Sequence, residues 1–170
     1  MAAKRLYLLR HAKSSWDDPK LDDHSRPLNE RGKRDAPRMG RRLRQHSHLP
    51  DRIVSSSAVR AYTTARVIAR ELRYTVSAIV KSDELYLAEP ATLLACSHAT
   101  ADTLGSLMLV GHNPGLTDFA NTLCEVRIDN LPTCGVYCVE FPVERWRDVA
   151  PGGGTFVCFD YPKNREDADR

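Results

Sequence analysis

Two short apolar runs in this chain end the same way. Leu6-Tyr7-Leu8-Leu9 stops at Arg10-His11, and Leu107-Met108-Leu109-Val110 stops at Gly111-His112-Asn113-Pro114. Runs of this length read as buried strands. A strand ending in Arg-His places a cation and an imidazole at the C-terminal edge of a sheet, and open α/β sheets bind their ligands along that edge. The two histidines are roughly a hundred residues apart, so only topology can bring them together.

The segments between these runs alternate helix and strand. Residues 13–29 are polar and turn-rich and read as loop. Asn29-Glu30-Arg31-Gly32 leads into a helix over 32–46, with a thin apolar stripe of Ala36, Met39 and Leu43. A strand over 52–55 and a helix over 59–73 follow, the latter with Ala61, Ala65, Ile68, Ala69 and Leu72 at helical spacing. Residues 75–80 alternate and are rich in β-branched side chains, which predicts a third strand. Helices are expected over 89–100 and 116–123, and a closing hairpin over 135–141 and 155–161. This order predicts an α/β fold: a three-layer α/β/α sandwich whose sheet is mostly parallel, with an antiparallel edge from the C-terminal hairpin. Residues 1–162 read as a single domain and 163–170 as a charged, frayed tail.

Composition narrows the function classes. At 170 residues, 42% hydrophobic and 28% charged, the chain is an ordinary globular one, and its net charge of +3 does not call for nucleic acid. The basic helix 32–46 lacks interleaved aromatics and reads as a solvated face that would attract an acidic partner. No run approaches membrane-spanning length, and the apolar start is too short for a signal-peptide core, so the expectation is a cytoplasmic protein without membrane contact. The five cysteines form no Cys-x-x-Cys pair; Cys134 and Cys138 read as strand-core thiols, and no metal site is expected. His46 and His48 read as a helix-end cap, and His24 and His98 as surface residues.

Four segments carry chemistry. Beside the two strand-end histidines stand Ser55-Ser56-Ser57-Ala58-Val59-Arg60, running from a strand into a helix N-terminus, and Asp83-Glu84-Leu85-Tyr86 after the third strand. A helix N-terminus favours anions, and a cation such as Arg60 in its first turn is opposed by the helix dipole unless an anion joins it. Convergence of Arg10, Arg60, His11 and His112 makes a pocket for a phosphoryl dianion, because guanidinium forks match phosphate oxygens.

These motifs together resemble the histidine phosphatase superfamily, the phosphoglycerate-mutase-like proteins, and within it the small SixA-type phosphohistidine phosphatases. Arg10-His11-Ala12 stands where the family has Arg-His-Gly. Residues 55–65 follow its Ser-Ser-Pro-x-x-Arg-Ala-x-x-Thr-Ala motif, with Ser57 replacing proline. Arg26-Pro27-Leu28-Asn29-Glu30-Arg31-Gly32, Gly111-His112-Asn113-Pro114 and Leu131-Pro132-Thr133-Cys134-Gly135 with Trp146 match later segments, and the resemblance spans about residues 5–162. It implies His11 as the nucleophile forming a covalent phosphohistidine. It also implies Arg10, Arg60, Arg26 and His112 as phosphoryl-binding groups, and Glu84 as a general acid. Neighbouring guanidiniums would keep His11 neutral, and they supply the positive charge, so no cofactor or metal is implied. The implied substrate is phosphohistidine on a protein, a histidine phosphotransfer or phosphocarrier domain. A small phosphate ester or nucleotide is the alternative, and a non-catalytic phosphoprotein-binding module a third reading. The short segments after His11 and Leu72 predict an open, shallow site.

Overall fold

The computed structural model describes residues 2–164. In chain order its main elements are β1 (Lys4–Arg10), α1 (Glu30–Gln45), β2 (Arg52–Ser56), α2 (Val59–Glu71), β3 (Val80–Ser82), α3 (Pro90–His98), β4 (Ser106–Gly111), α4 (Gly115–Leu123), β5 (Val136–Phe141) and β6 (Thr155–Asp160). One sheet contains all six strands in the order β3-β2-β4-β1-β5-β6. β1 pairs parallel with β4, β4 with β2, and β2 with β3, so four C-terminal strand ends share one edge. β5 lies antiparallel to both of its neighbours, which gives the expected antiparallel margin.

The apolar runs are explained by burial on both faces. Leu6 and Leu8 of β1 enter one core with Leu116, Phe119, Leu123 and Trp146. Tyr7 and Leu9 enter the other with Met39, Ala65 and Ile68 of α1 and α2. Each fully buried leucine contributes about 2 kcal/mol by area removed from water, so a strand between two helical layers must be apolar at successive positions. The result is the three-layer sandwich that the element order implied.

Helix α1 starts where Asn29 accepts a hydrogen bond from the Gly32 N–H at 2.9 Å. Its arginines are not all solvated. Arg42 is nearly buried, pairs with Asp160 at 3.0 Å, and donates to the carbonyls of Tyr161 and Pro162. It thereby fixes the segment after β6. Of the predicted tail, Lys163 and Asn164 form a turn end, and 165–170 lie outside the described residues.

Two local expectations fail. Residues 76–78 form a single 3₁₀ turn rather than a strand, and β3 begins only at Val80. The Ile53 N–H, which a longer β3 would engage, donates instead to the Tyr74 hydroxyl, and that hydroxyl donates on to the Ala78 carbonyl. Alternation of β-branched residues is a weak signal without an unoccupied edge to pair with. Cys134 is not on a strand either; it takes a left-handed conformation, φ 58°, in the turn before β5.

Among the described residues no helix is long and apolar enough to cross a membrane. No group of three or more His, Cys, Asp or Glu side chains among them is arranged to hold a metal ion.

Gly32 is required by a close approach: a Cβ there would stand 2.2 Å from the Lys13 carbonyl oxygen. That oxygen already accepts from the Asn29 N–H. Gly32→Ala is expected to lower unfolding free energy by about 1–3 kcal/mol, measured by denaturant titration of tryptophan fluorescence.

Candidate active site

The pairing of β1 with β4 sets Arg10 opposite Gly111, so the next residue on each strand is a histidine. The rings of His11 and His112 lie 5.2 Å apart between centroids. Main-chain bonds pin this end of β1. The His11 N–H donates to the Gly111 carbonyl, and the Cys134 N–H donates to the carbonyls of both Arg10 and His11. The left-handed turn at Cys134 is thus spent on holding the strand end. From the other side, the Ala12 N–H donates to Thr64 Oγ1 at 3.0 Å, and that hydroxyl donates to the Arg60 carbonyl. Thr64 ties the end of β1 to the first turn of α2.

Hydrogen-bond partners assign the tautomers. His11 Nδ1 lies 2.7 Å from the Ala12 carbonyl oxygen, which only accepts, so Nδ1 carries the proton and Nε2 keeps its lone pair. Burial, helped by Arg60, Arg10 and Arg26, pushes the His11 pKa down to about 4 against the opposing pull of the Ala12 carbonyl. Arg60 Nη2 donates toward His112 Nδ1 at 3.4 Å, so His112 Nε2 carries the proton and donates to Ser56 Oγ at 2.7 Å. Burial, His11 and Arg60 hold the His112 pKa down to about 3. Both imidazoles are neutral at physiological pH.

The guanidiniums surround this pair. Arg60 is 3% exposed, and its Nε is buried without a partner, as is that of Arg10. Arg10 donates one bond to the Leu131 carbonyl, and burial lowers its pKa. Buried Arg26 donates to Ser14 Oγ and the Ser15 carbonyl, and the exposed Trp16 ring stacks 3.5 Å from its guanidinium.

Sequence reasoning missed the group on which two of these arginines converge. Asp23 Oδ2 accepts from Arg60 Nη2 at 2.9 Å, and Oδ1 accepts from Arg26 Nε and Nη2. The Tyr86 hydroxyl also donates to Oδ2, and Arg60 Nη1 donates to the Asp23 carbonyl. The Tyr86 bond, with the two guanidiniums, holds the Asp23 carboxyl well below the usual carboxylate range. Its one sequence signal was an acid three residues before Arg26, a spacing that a single turn closes. His24 is not a free surface residue: it bonds Ser57 Oγ at 2.9 Å, and its ring meets Tyr86 edge-on. Ser57, the departure from the family motif, therefore latches the loop to the start of α2. The loop over 13–29 crosses the site instead of leaving it wholly open. His98 bonds the Val149 carbonyl and so is not an unattached surface group, and His48, read as part of a helix-end cap, bonds the Tyr7 hydroxyl.

Glu84 is not drawn into the cluster. It is exposed in the 3₁₀ turn Asp83–Leu85, has no hydrogen bond or ion pair among the described residues, and bears electrostatically on Cys96 of α3. Tyr86, two residues on, is the group from this segment that arrives; its ring stands edge-on to His112 at 5.4 Å.

Residues 6–87 match the model of the histidine phosphatase superfamily, branch 1. The chain is 32% identical to the uncharacterized protein Rv1276c of Mycobacterium tuberculosis, over 91% of this chain and all of that one. It is 30% identical to an uncharacterized chloroplastic protein of Arabidopsis thaliana, over 89% of this chain and 74% of that protein. The crystal structure of the putative phosphohistidine phosphatase SixA from Agrobacterium tumefaciens superposes with a TM-score of 0.79 at 29% identity, covering 94% of this chain and 98% of that one. The protein histidine phosphatase SixA complexed with tungstate shares the fold, with a TM-score of 0.80 at 22% identity over 95% and 99% of the two chains.

The lowered pKa values set a pH signature. NMR titration of the imidazole resonances should show neither His11 nor His112 reaching its protonation midpoint between pH 5 and 8. Their protonation in the unfolded chain begins near pH 6.5, so stability is full above that value and is lost as pH falls toward the folded values. His11 alone accounts for about 2 kcal/mol of loss at pH 5, visible as a falling Tm.

Proposed function

The chain belongs to the histidine phosphatase superfamily, and on that premise we propose that it is a metal-independent phosphatase working through a covalent phosphohistidine on His11. One observation carries this reading. A neutral imidazole, its Nδ1 proton held by the Ala12 carbonyl, keeps a free Nε2 lone pair among Arg10, Arg60 and His112. Nucleophilic nitrogen must be unprotonated, and the surrounding cations both lower its pKa and attract the phosphoryl group.

In the proposed reaction His11 Nε2 attacks phosphorus, the bond to the leaving group breaks, and the phosphoryl group rests on His11. Positive charge on the ring is eased by the Nδ1–H bond to Ala12. Water then attacks phosphorus, inorganic phosphate departs, and Nε2 regains its lone pair. Fixed guanidinium donors stabilise the charge spread over the phosphoryl oxygens without reorganising. A bound dianion raises the pKa of His112, so that its Nδ1 takes a proton and donates to a phosphoryl oxygen.

The substrate reading is phosphohistidine on a protein. Two features support it: Glu84 stands outside the cluster, and Asp23 is held ionised by Tyr86 and two arginines. Neither carboxyl is ready to protonate an alkoxide, whereas an imidazole leaving group needs less help.

Wild type and His11→Ala should each receive a histidine-phosphorylated phosphocarrier protein and an aryl phosphate, with chelator present. Wild type is expected to hydrolyse phosphohistidine undiminished by chelator, and His11→Ala to lose at least about a thousandfold in kcat/KM. A denaturing quench at alkaline pH, where the P–N bond of phosphohistidine survives, should trap phosphate on wild type only. Turnover of aryl phosphate alone would move the substrate to small esters or nucleotides, and phosphoprotein binding without turnover would make the protein a binding module.

A further inference from the structure

A cleft of about 300 Å³ is lined in part by Arg10, whose bond to the Leu131 carbonyl leaves most of its guanidinium donors unused. Lys13, Arg31 and Lys163 also line it, against one carboxylate, that of Asp35. The side-chain ammonium groups of Lys13 and Lys163 make no hydrogen bond or ion pair with any other described residue. Arg31 Nε is buried without a hydrogen bond, its nearest carboxylate oxygen on Asp35 being 3.8 Å away. Arg31 stands in the first turn of α1, where the helix dipole opposes a cation. Among the described residues, four cations are thus gathered around one carboxylate, with donors to spare.

The cleft is also a built feature. The Lys13 main chain is clamped by the close approach of Gly32 and by the Asn29 N–H, so the residue two places after His11 is held in position. Arg31 Nη2 donates to Thr133 in the turn that pins the end of β1. Pro132 and Tyr161 add apolar wall. A cleft lined by four cations together with Pro132, Tyr161 and Pro162 suits a peptide segment carrying a carboxylate better than it suits a free anion.

We propose that this cleft is a second anion subsite, which receives an acidic side chain of the protein substrate flanking its phosphorylated residue, with Arg10 bridging subsite and phosphoryl site. The inference rests on the phosphatase reading above and deepens it: specificity would come from a neighbouring Asp or Glu, read mainly by Lys13 and Arg31. Opposite charges steer such a segment into place and hold its register.

The test uses two phosphohistidine peptides identical except for acidic or neutral flanking residues. Binding is measured by fluorescence anisotropy on His11→Ala, which holds substrate without consuming it. The acidic peptide is expected to bind about tenfold more tightly. That preference should fall to about one in the triple variant H11A/K13A/R31A, and should shrink as salt rises from 50 to 500 mM on the otherwise unaltered protein, as screening of charges requires. The salt series needs no further substitution, so a misfolded variant cannot mask the result. Equal binding of the two peptides, a preference insensitive to salt, or equal loss of both peptides in the triple variant would overturn the subsite. Failure of the phosphatase reading shows separately, as absence of phosphohistidine hydrolysis by wild type.

Discussion

The parallel pairing of β1 with β4 is the constraint from which the site follows. It places Arg10 opposite Gly111 and so sets His11 beside His112 at one sheet edge. Residues distant in the chain become neighbours because strands run side by side with fixed register, and a slip of one residue would turn each side chain to the other face. The bonds from Cys134, Gly111 and Thr64 exist to hold this one strand end. The buried runs of β1 and β4, packed between two helical layers, make the register stiff.

Electrostatics shape what surrounds it. Three guanidiniums close to two buried imidazoles would repel, and both imidazoles respond by remaining neutral. Asp23 relieves Arg60 and Arg26 directly and is itself held ionised. The loop carrying Asp23 is latched through His24 to Ser57 and through Tyr86, so its placement depends on groups from three separate segments. Arg10 is left with donors to spare, and it stands between the paired histidines and the cationic cleft.

Much of this was legible in the residues. The apolar runs, the helical spacing in 59–73 and the Arg-His and Gly-His strand ends gave the layers, the sheet edge and the group of Arg10, His11, Arg60 and His112. Arg26, to which the resemblance gives a phosphate contact, is joined to Arg60 through the Asp23 carboxylate. The misses share one cause. Tyr86, Ser56 and Thr64 act by touching residues far away in sequence, where nothing local distinguishes such a side chain from a solvated one, and Asp23 has only its spacing from Arg26 to mark it. The third strand, expected over 75–80, begins only at Val80 for a related reason, since the Tyr74 hydroxyl takes the Ile53 N–H on that edge. Glu84 was singled out by its segment, yet the short turn there delivers Tyr86 to the cluster instead.

The sequence by itself determined the element order, the two-faced burial of the central strands and the chemical types gathered at their ends. Those depend on local pattern: hydrophobic periodicity, caps and the residues at which apolar runs stop. Only the tertiary structure decided which nitrogen of each histidine is free, that both imidazoles are neutral, and that a carboxylate from the loop sits between two of the arginines. These are properties of burial and of through-space contact, and both arise only when the sheet edge, the α2 N-terminus and the loop after β1 close on one another.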